Sequence, residues 1–214
     1  MQKIIYHGKM PDPFRKEDGT RVSPEEWPEF KKGLLDMIVD IEYGGMPPRP
    51  EYLRIEQLNG FRRGKISNWF KIYAGTKERQ VSFTLELFVP EIPDDSTPSN
   101  ATVKHPVILT GDGCYANMES PEVAEAFKHG FIAAKFNRLE LANDIFQSRE
   151  GGLHDVYPGN FSDISAWAWG YLVCMDVFAQ IPYVDETEVA ITGHSRGGKT
   201  VMLAAAVDER IKYV

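Results

Sequence analysis

The sequence predicts an α/β protein, a three-layer sandwich of helices on both faces of a mostly parallel central sheet. Two observations carry this reading. From His105 to Val214, short apolar runs ("PVILTG", "FIAAKF", "EVAITG", "RIKYV") alternate with longer segments of helical period. Such continuous Val/Ile/Ala-rich runs suit strands covered on both faces, and their alternation with helices implies parallel pairing. Before them, Val81, Phe83, Leu85, Leu87 and Val89 alternate strictly, the period of a half-buried strand.

In chain order, Ser23, Pro24 and Glu26 supply an N-cap, a proline in the first helical turn and the acid of a capping box. Trp27, Phe30, Leu34, Met37 and Ile41 follow at helical spacing, and Gly44-Gly45 ends that helix. "SNWFKIYAG" and the alternating run form a hairpin through "GTKE", with a further strand at "YLRIEQL". "EIPDDSTPSNATVKH" reads as a polar loop. After "PVILTG", Ser120 and Pro121 cap a helix that stops at Gly130. Asp163 to Ile181 forms a long helix with Ile164, Trp167, Tyr171, Cys174 and Phe178 on one face, halted by Pro182. A final helix follows Gly198, and "RIKYV" begins another strand. Residues 1–50 are thus a helical lead-in, and 51–214 the sandwich domain.

Composition narrows the partners. A chain of 214 residues with net charge -7 lacks the surplus Lys and Arg that bind phosphate backbones, so neither nucleic acid nor an anionic membrane is expected as the main partner. No run approaches the ~18 apolar residues of a spanning helix, and the start has no apolar signal core. A cytoplasmic location is expected as the sequence stands, or secretion if the true N-terminus lies upstream. Two cysteines, Cys114 and Cys174, make no disulfide framework, and Cys174 lies on an apolar helical pattern. No metal or cofactor is expected.

The stretch "VAITGHSRGGKTVMLAAA" fits two patterns. Gly193, Gly198, Lys199 and Thr200 spell a P-loop, whereas Gly193, Ser195 and Gly197 spell the G-x-S-x-G nucleophile elbow. Both need a strand, a turn and a helix, so position in the chain decides. A P-loop usually opens its domain and needs a later acidic residue for magnesium, but here only Val201 to Val214 follow. An elbow is expected after several strands, where this one lies, and the reading favours a serine ester hydrolase with Ser195 as nucleophile.

The run "GHSRGGK" resembles the elbow of glucuronoyl esterases, carbohydrate esterase family fifteen. "SDISAWAWG" is similar to the family's Trp-Ala-Trp-Gly helix and "AVDERI" to its Asp-Glu-Arg continuation, together covering Ser162 to Ile211. The resemblance implies an α/β-hydrolase that cleaves the ester between a glucuronic acid carboxyl group on xylan and a lignin alcohol. It further implies Ser195 as nucleophile, Arg196 as oxyanion stabiliser through its N–H and its guanidinium, and Lys199 as a contact to sugar hydroxyls. Other expectations stay open beside it: an acetylxylan esterase, a dienelactone-hydrolase-like enzyme, or a non-catalytic carbohydrate-binding relative.

Chemistry gives these residues reasons. A backbone N–H just after the nucleophile, at a helix N-terminus, is aimed where the ester's oxyanion develops. Arg196 adds a full charge there or forms a surface ion pair. Lys199, one turn on, reaches the same cleft or is solvated. Gly113 or Cys114, in the loop after "PVILTG", is the expected second oxyanion donor. His154, in the long segment 137–162, is expected to line the substrate or serve structure. Trp167 and Trp169 are expected in the core. This fold orders its triad Ser, then Asp or Glu, then His, yet the histidines are His7, His105, His129, His154 and His194. None follows Ser195, so the expectation is the amino-terminal part of a longer hydrolase, C-terminally incomplete and inactive as a fragment.

Overall fold

The computed structural model describes residues 12–58, 67–90, 103–115, 120–145 and 148–214. The expected loop at 91–105 falls outside these residues except for its last three. Two compact units divide the chain, 1–38 and 39–214. In the first, the capping box forms as the sequence predicts: Glu26 N–H donates to Ser23 Oγ at 3.3 Å, and Ser23 N–H to Glu26 Oε2 at 3.0 Å. Helix α1 (Trp27–Tyr43) follows directly and carries no fully buried residue. Its end is an αL C-cap, with Gly44 N–H on the Asp40 carbonyl, and Gly45 N–H reaches back to the Val39 carbonyl. Gly44 sits at φ 69, and a Cβ there would fall on the carbonyl of Asn160, so both the conformation and the close approach require glycine.

The second unit is built on one six-stranded sheet of β1 (Tyr52–Leu58), β2 (Ser67–Gly75), β3 (Gln80–Phe88), β4 (His105–Thr110), β5 (Ile132–Phe136) and β6 (Val184–Thr192), in the order β1-β2-β3-β5-β4-β6. β5, β4 and β6 pair in parallel, the part expected from strand-helix alternation. The expectation of a mostly parallel sheet is corrected, because β1-β2-β3 form an antiparallel meander that joins β5 antiparallel as well. Hairpin turns give antiparallel neighbours, and only the strands reached through helices are free to run parallel. Past β6, Tyr213 bridges Ala190 in parallel, the start of the strand read from "RIKYV".

Helices cover both sheet faces. α2 (Ser120–Lys128) lays Val123 and Ala126 against Ala133, Ile108 and Phe88. On the opposite face, α4 (Asp163–Phe178) and α5 (Arg196–Val207) pack over Phe83, Leu85, Leu87, Leu109 and Phe136. α4 is apolar almost all round and buried from Ser165 to Phe178 apart from Leu172 and Asp176, so it is a core helix rather than a one-faced one. The long segment before it is not structureless: it holds a 3-10 turn at Arg138–Glu140 and the short helix α3 (Leu153–Val156). Cys174 is a fully buried free thiol. No helix among the described residues is long and apolar enough to cross a membrane.

Candidate active site

The site forms where β4, β5 and β6 end, the carboxyl edge at which open α/β sheets place their chemistry. β6 runs into Gly193-His194-Ser195 and then α5. Ser195, at φ 55 and ψ -116, is the one non-glycine residue with positive φ among the described residues. Such a backbone costs about 1–3 kcal/mol and persists only where its surroundings hold it. The flanking glycines show why the turn can be this tight. A Cβ on Gly193 would strike the Gly197 carbonyl, and one on Gly197 would strike the carboxylate of Asp112.

Ser195 is also the N-cap of α5, yet its side chain caps nothing. A serine there ordinarily accepts an N–H of the first turn. Here the turn closes through the backbone, Lys199 N–H donating to the Ser195 carbonyl at 3.2 Å, and the hydroxyl stays exposed. The first N–H groups of α5, beginning with Arg196, have no intrahelical acceptor and carry the positive end of the helix dipole. A serine oxygen beside unspent donors is the geometry needed to attack a carbonyl and receive its developing charge.

A cleft of about 410 Å³ opens here, lined by Asp112, Tyr115, Arg138, His194, Ser195 and Arg196. Its floor is charged. Asp112 and Arg138, each almost wholly buried, form an ion pair, and Arg138 lies 4.5 Å from the centre of the Trp167 ring. Burial pulls the Arg138 pKa below its ordinary range, against the opposing pull of Asp144. Asp144 also pairs with the exposed guanidinium of Arg196, so the structure includes the ion pair that the sequence left as an alternative for this side chain. Tyr171 braces the site from α4. Its hydroxyl accepts the Gly111 N–H at 2.5 Å and lies 3.4 Å from the Thr192 carbonyl, joining the ends of β4 and β6, and burial raises its pKa strongly.

The other sequence candidates separate. A Cβ on Gly113 would lie 2.8 Å from the Phe136 carbonyl, so this glycine serves close packing on β5. Cys114 is half-buried beside it, and burial raises its thiol pKa, which disfavours a thiolate. Lys199 is exposed on α5 and does not line the cleft. His154 lies elsewhere in the fold: its ring stacks on Phe161 at 4.6 Å, and Nε2 is 2.9 Å from Asp163 Oδ1. Trp167 and Trp169 are buried as expected, their ring N–H groups donating to the carbonyls of Ala142 and Pro48. Among the described residues no three His, Cys, Asp or Glu side chains assemble to ligate a metal ion.

Sequence reasoning missed Asp112, Arg138 and Asp144. The first two follow the apolar runs of β4 and β5, so a charged residue at a strand's carboxyl end was the available signal.

The family model of fungal glucuronyl esterases matches residues 72–214, which include the whole cleft. The chain belongs to the glucuronyl esterase family. It is 27% identical over 210 residues to a 4-O-methyl-glucuronoyl methylesterase of Phanerochaete carnosa, covering 95% of this chain and 47% of that protein. It is 26% identical over 212 residues to the methylesterase of Hypocrea jecorina, covering 96% of this chain and 41% of that one. The chain therefore spans about half the length of the curated relatives it matches. A glucuronoyl esterase from Solibacter usitatus superposes with a TM-score of 0.74 at 20% identity, over 97% of this chain and 63% of that one, which shows the α/β-hydrolase fold. The motifs that carried the family resemblance have visible work. Trp167 backs Arg138, and Asp208 and Arg210 of "AVDERI" join Asp176 of α4 in an ion-pair cluster that fastens the end of α5.

Proposed function

We propose that the protein carrying this chain is a serine carboxylic-ester hydrolase acting on 4-O-methyl-glucuronoyl esters, with Ser195 as nucleophile. The observation that supports this reading best is the exposed Ser195 hydroxyl, held at a strained helix N-cap it does not use, at the mouth of the cleft. In the reaction, Ser195 Oγ adds to the ester carbonyl and gives its proton to a general base. The tetrahedral oxyanion rests on the Arg196 N–H and a donor from the Gly113-Cys114 turn, with the Arg196 guanidinium alongside. Collapse breaks the ester C–O bond, the alcohol leaves with the base's proton, and water then hydrolyses the acyl-enzyme to free glucuronate. Lys199, exposed on α5 outside the cleft lining, is assigned to sugar hydroxyls of a substrate that extends beyond the cleft. In this fold the general base is a histidine oriented by an acidic side chain.

The test is Ser195→Ala in the full-length protein, assayed on the methyl ester of 4-O-methyl-glucuronic acid beside an acetylated xylose. Loss of at least ~10³-fold in kcat on the glucuronate ester is expected, because the nucleophile is the component whose removal costs most. An unchanged rate refutes the assignment. Preference for the acetylated sugar refutes the substrate class.

A further inference from the structure

We propose that Asp112 is a positioning residue of the nucleophile elbow, a role that rests on the reading of Ser195 as nucleophile. The carboxylate touches the chain on both sides of that serine. Oδ2 accepts the His194 N–H at 2.8 Å, immediately before Ser195. Two residues after it, the Cα of Gly197 lies so close to the carboxyl group that any side chain there would overlap it. One rigid group thus limits the turn from 194 to 197, where the backbone would otherwise relax from φ 55.

Asp112 is itself fixed. It is 1% exposed, its own N–H donates to Thr110 Oγ1 at 3.1 Å, and Oδ1 pairs with Arg138. Arg138, 3% exposed, lies between the rings of Trp167 at 4.5 Å and Tyr115 at 5.2 Å, with Asp144 4.0 Å away. The pairing also answers an electrostatic requirement. A lone buried carboxylate under the elbow would repel the oxyanion that forms above it, and Arg138 cancels that charge while leaving Oδ2 free to hold His194. Asp112 reaches the reacting atoms only through the backbone, so its signature is a change in kcat at constant KM.

The experiment compares Asp112→Ala and Asp112→Asn in the full-length protein, reading kcat, KM, melting temperature and the rate at which a fluorophosphonate labels Ser195. Asparagine keeps the shape and an acceptor for His194 but loses the charge; alanine loses all three. Asp112→Ala is expected to lose ~10²-fold in kcat and in labelling rate with KM nearly unchanged, the scale of an ångström's misplacement. Asp112→Asn is expected to recover most of both while melting as early as the alanine variant. Because each change strands the buried Arg138, the comparison is repeated as Asp112→Ala/Arg138→Met against Asp112→Asn/Arg138→Gln, where no charge is left unpaired. Equal kcat per folded molecule in the alanine and asparagine variants overturns the proposal. Full turnover in Ser195→Ala overturns instead the reading beneath it, so the two failures are distinguishable.

Discussion

Replacing Ser195 by glycine should make the protein more stable while disarming it. The residue sits at φ 55 and ψ -116, where a Cβ costs about 1–3 kcal/mol that glycine escapes. Glycine gives back about 0.5–1 kcal/mol through the greater freedom of its unfolded chain. No capping hydrogen bond is lost, because the hydroxyl makes none. The balance is a gain of about 1 kcal/mol, or roughly 2–4 °C in Tm for a chain of this size. Ser195→Ala is the control: it removes the same hydroxyl but keeps the Cβ, so its Tm should stay near that of the wild type. Thermal melts by circular dichroism, with urea titrations for the free energies, rank the three proteins. The order expected is glycine above alanine, and alanine close to serine. Alanine equal to or above glycine would refute the claim that the elbow is held under strain.

The neighbouring residues yield three more tests. Gly197→Ala should destabilise by about 1–3 kcal/mol, since its methyl group must displace the paired carboxylate of Asp112, and denaturant titration measures this. Arg196→Ala should change stability by less than about 1 kcal/mol, because Arg196 is exposed and Asp144 keeps Arg138 nearby, yet lower kcat ~10–10²-fold in the full-length protein; a stability loss without a kinetic one would relegate it to a surface ion pair. The third concerns acid. Burial raises the pKa of Asp208, but hydrogen bonds from Arg210 outweigh it and hold the carboxyl below its usual range. A depressed pKa contributes stability above the unfolded value of about 3.9, lost as pH falls through the folded one. Asp208→Asn should therefore be less stable at pH 7 and lose less stability than the wild type below about pH 4, as read by urea titrations across pH.

What the sequence disclosed and what it withheld follow the range of the interactions. The capping box is legible because Ser23 and Glu26 are three residues apart, and the β3 alternation because it repeats every second residue. The elbow is legible because strand, serine, glycines and helix are contiguous in sequence, from Val184 to Val207. The meander's antiparallel junction to β5 brings together residues some fifty apart in sequence, Leu85 and Phe136, and no local pattern encodes that choice. The floor of the cleft was hidden for the same reason. Asp112 meets His194 across 82 positions, and Asp144 meets Arg196 across 52, so neither partner has a periodic trace. His154 stood out as a histidine in a long segment, but burial against Phe161 and Asp163 is decided by tertiary packing.

Burial of α4 on nearly every side has a consequence for how the molecule opens. Trp167 and Tyr171, which back the cleft, are each only 1% exposed. Amide protons along this helix should exchange with deuterium only when the whole second unit unfolds, while those of the outer strand β1 exchange through local fraying. The scaffold beneath the serine should therefore be among the slowest to open of the described residues, with the back wall of the cleft set before a ligand arrives.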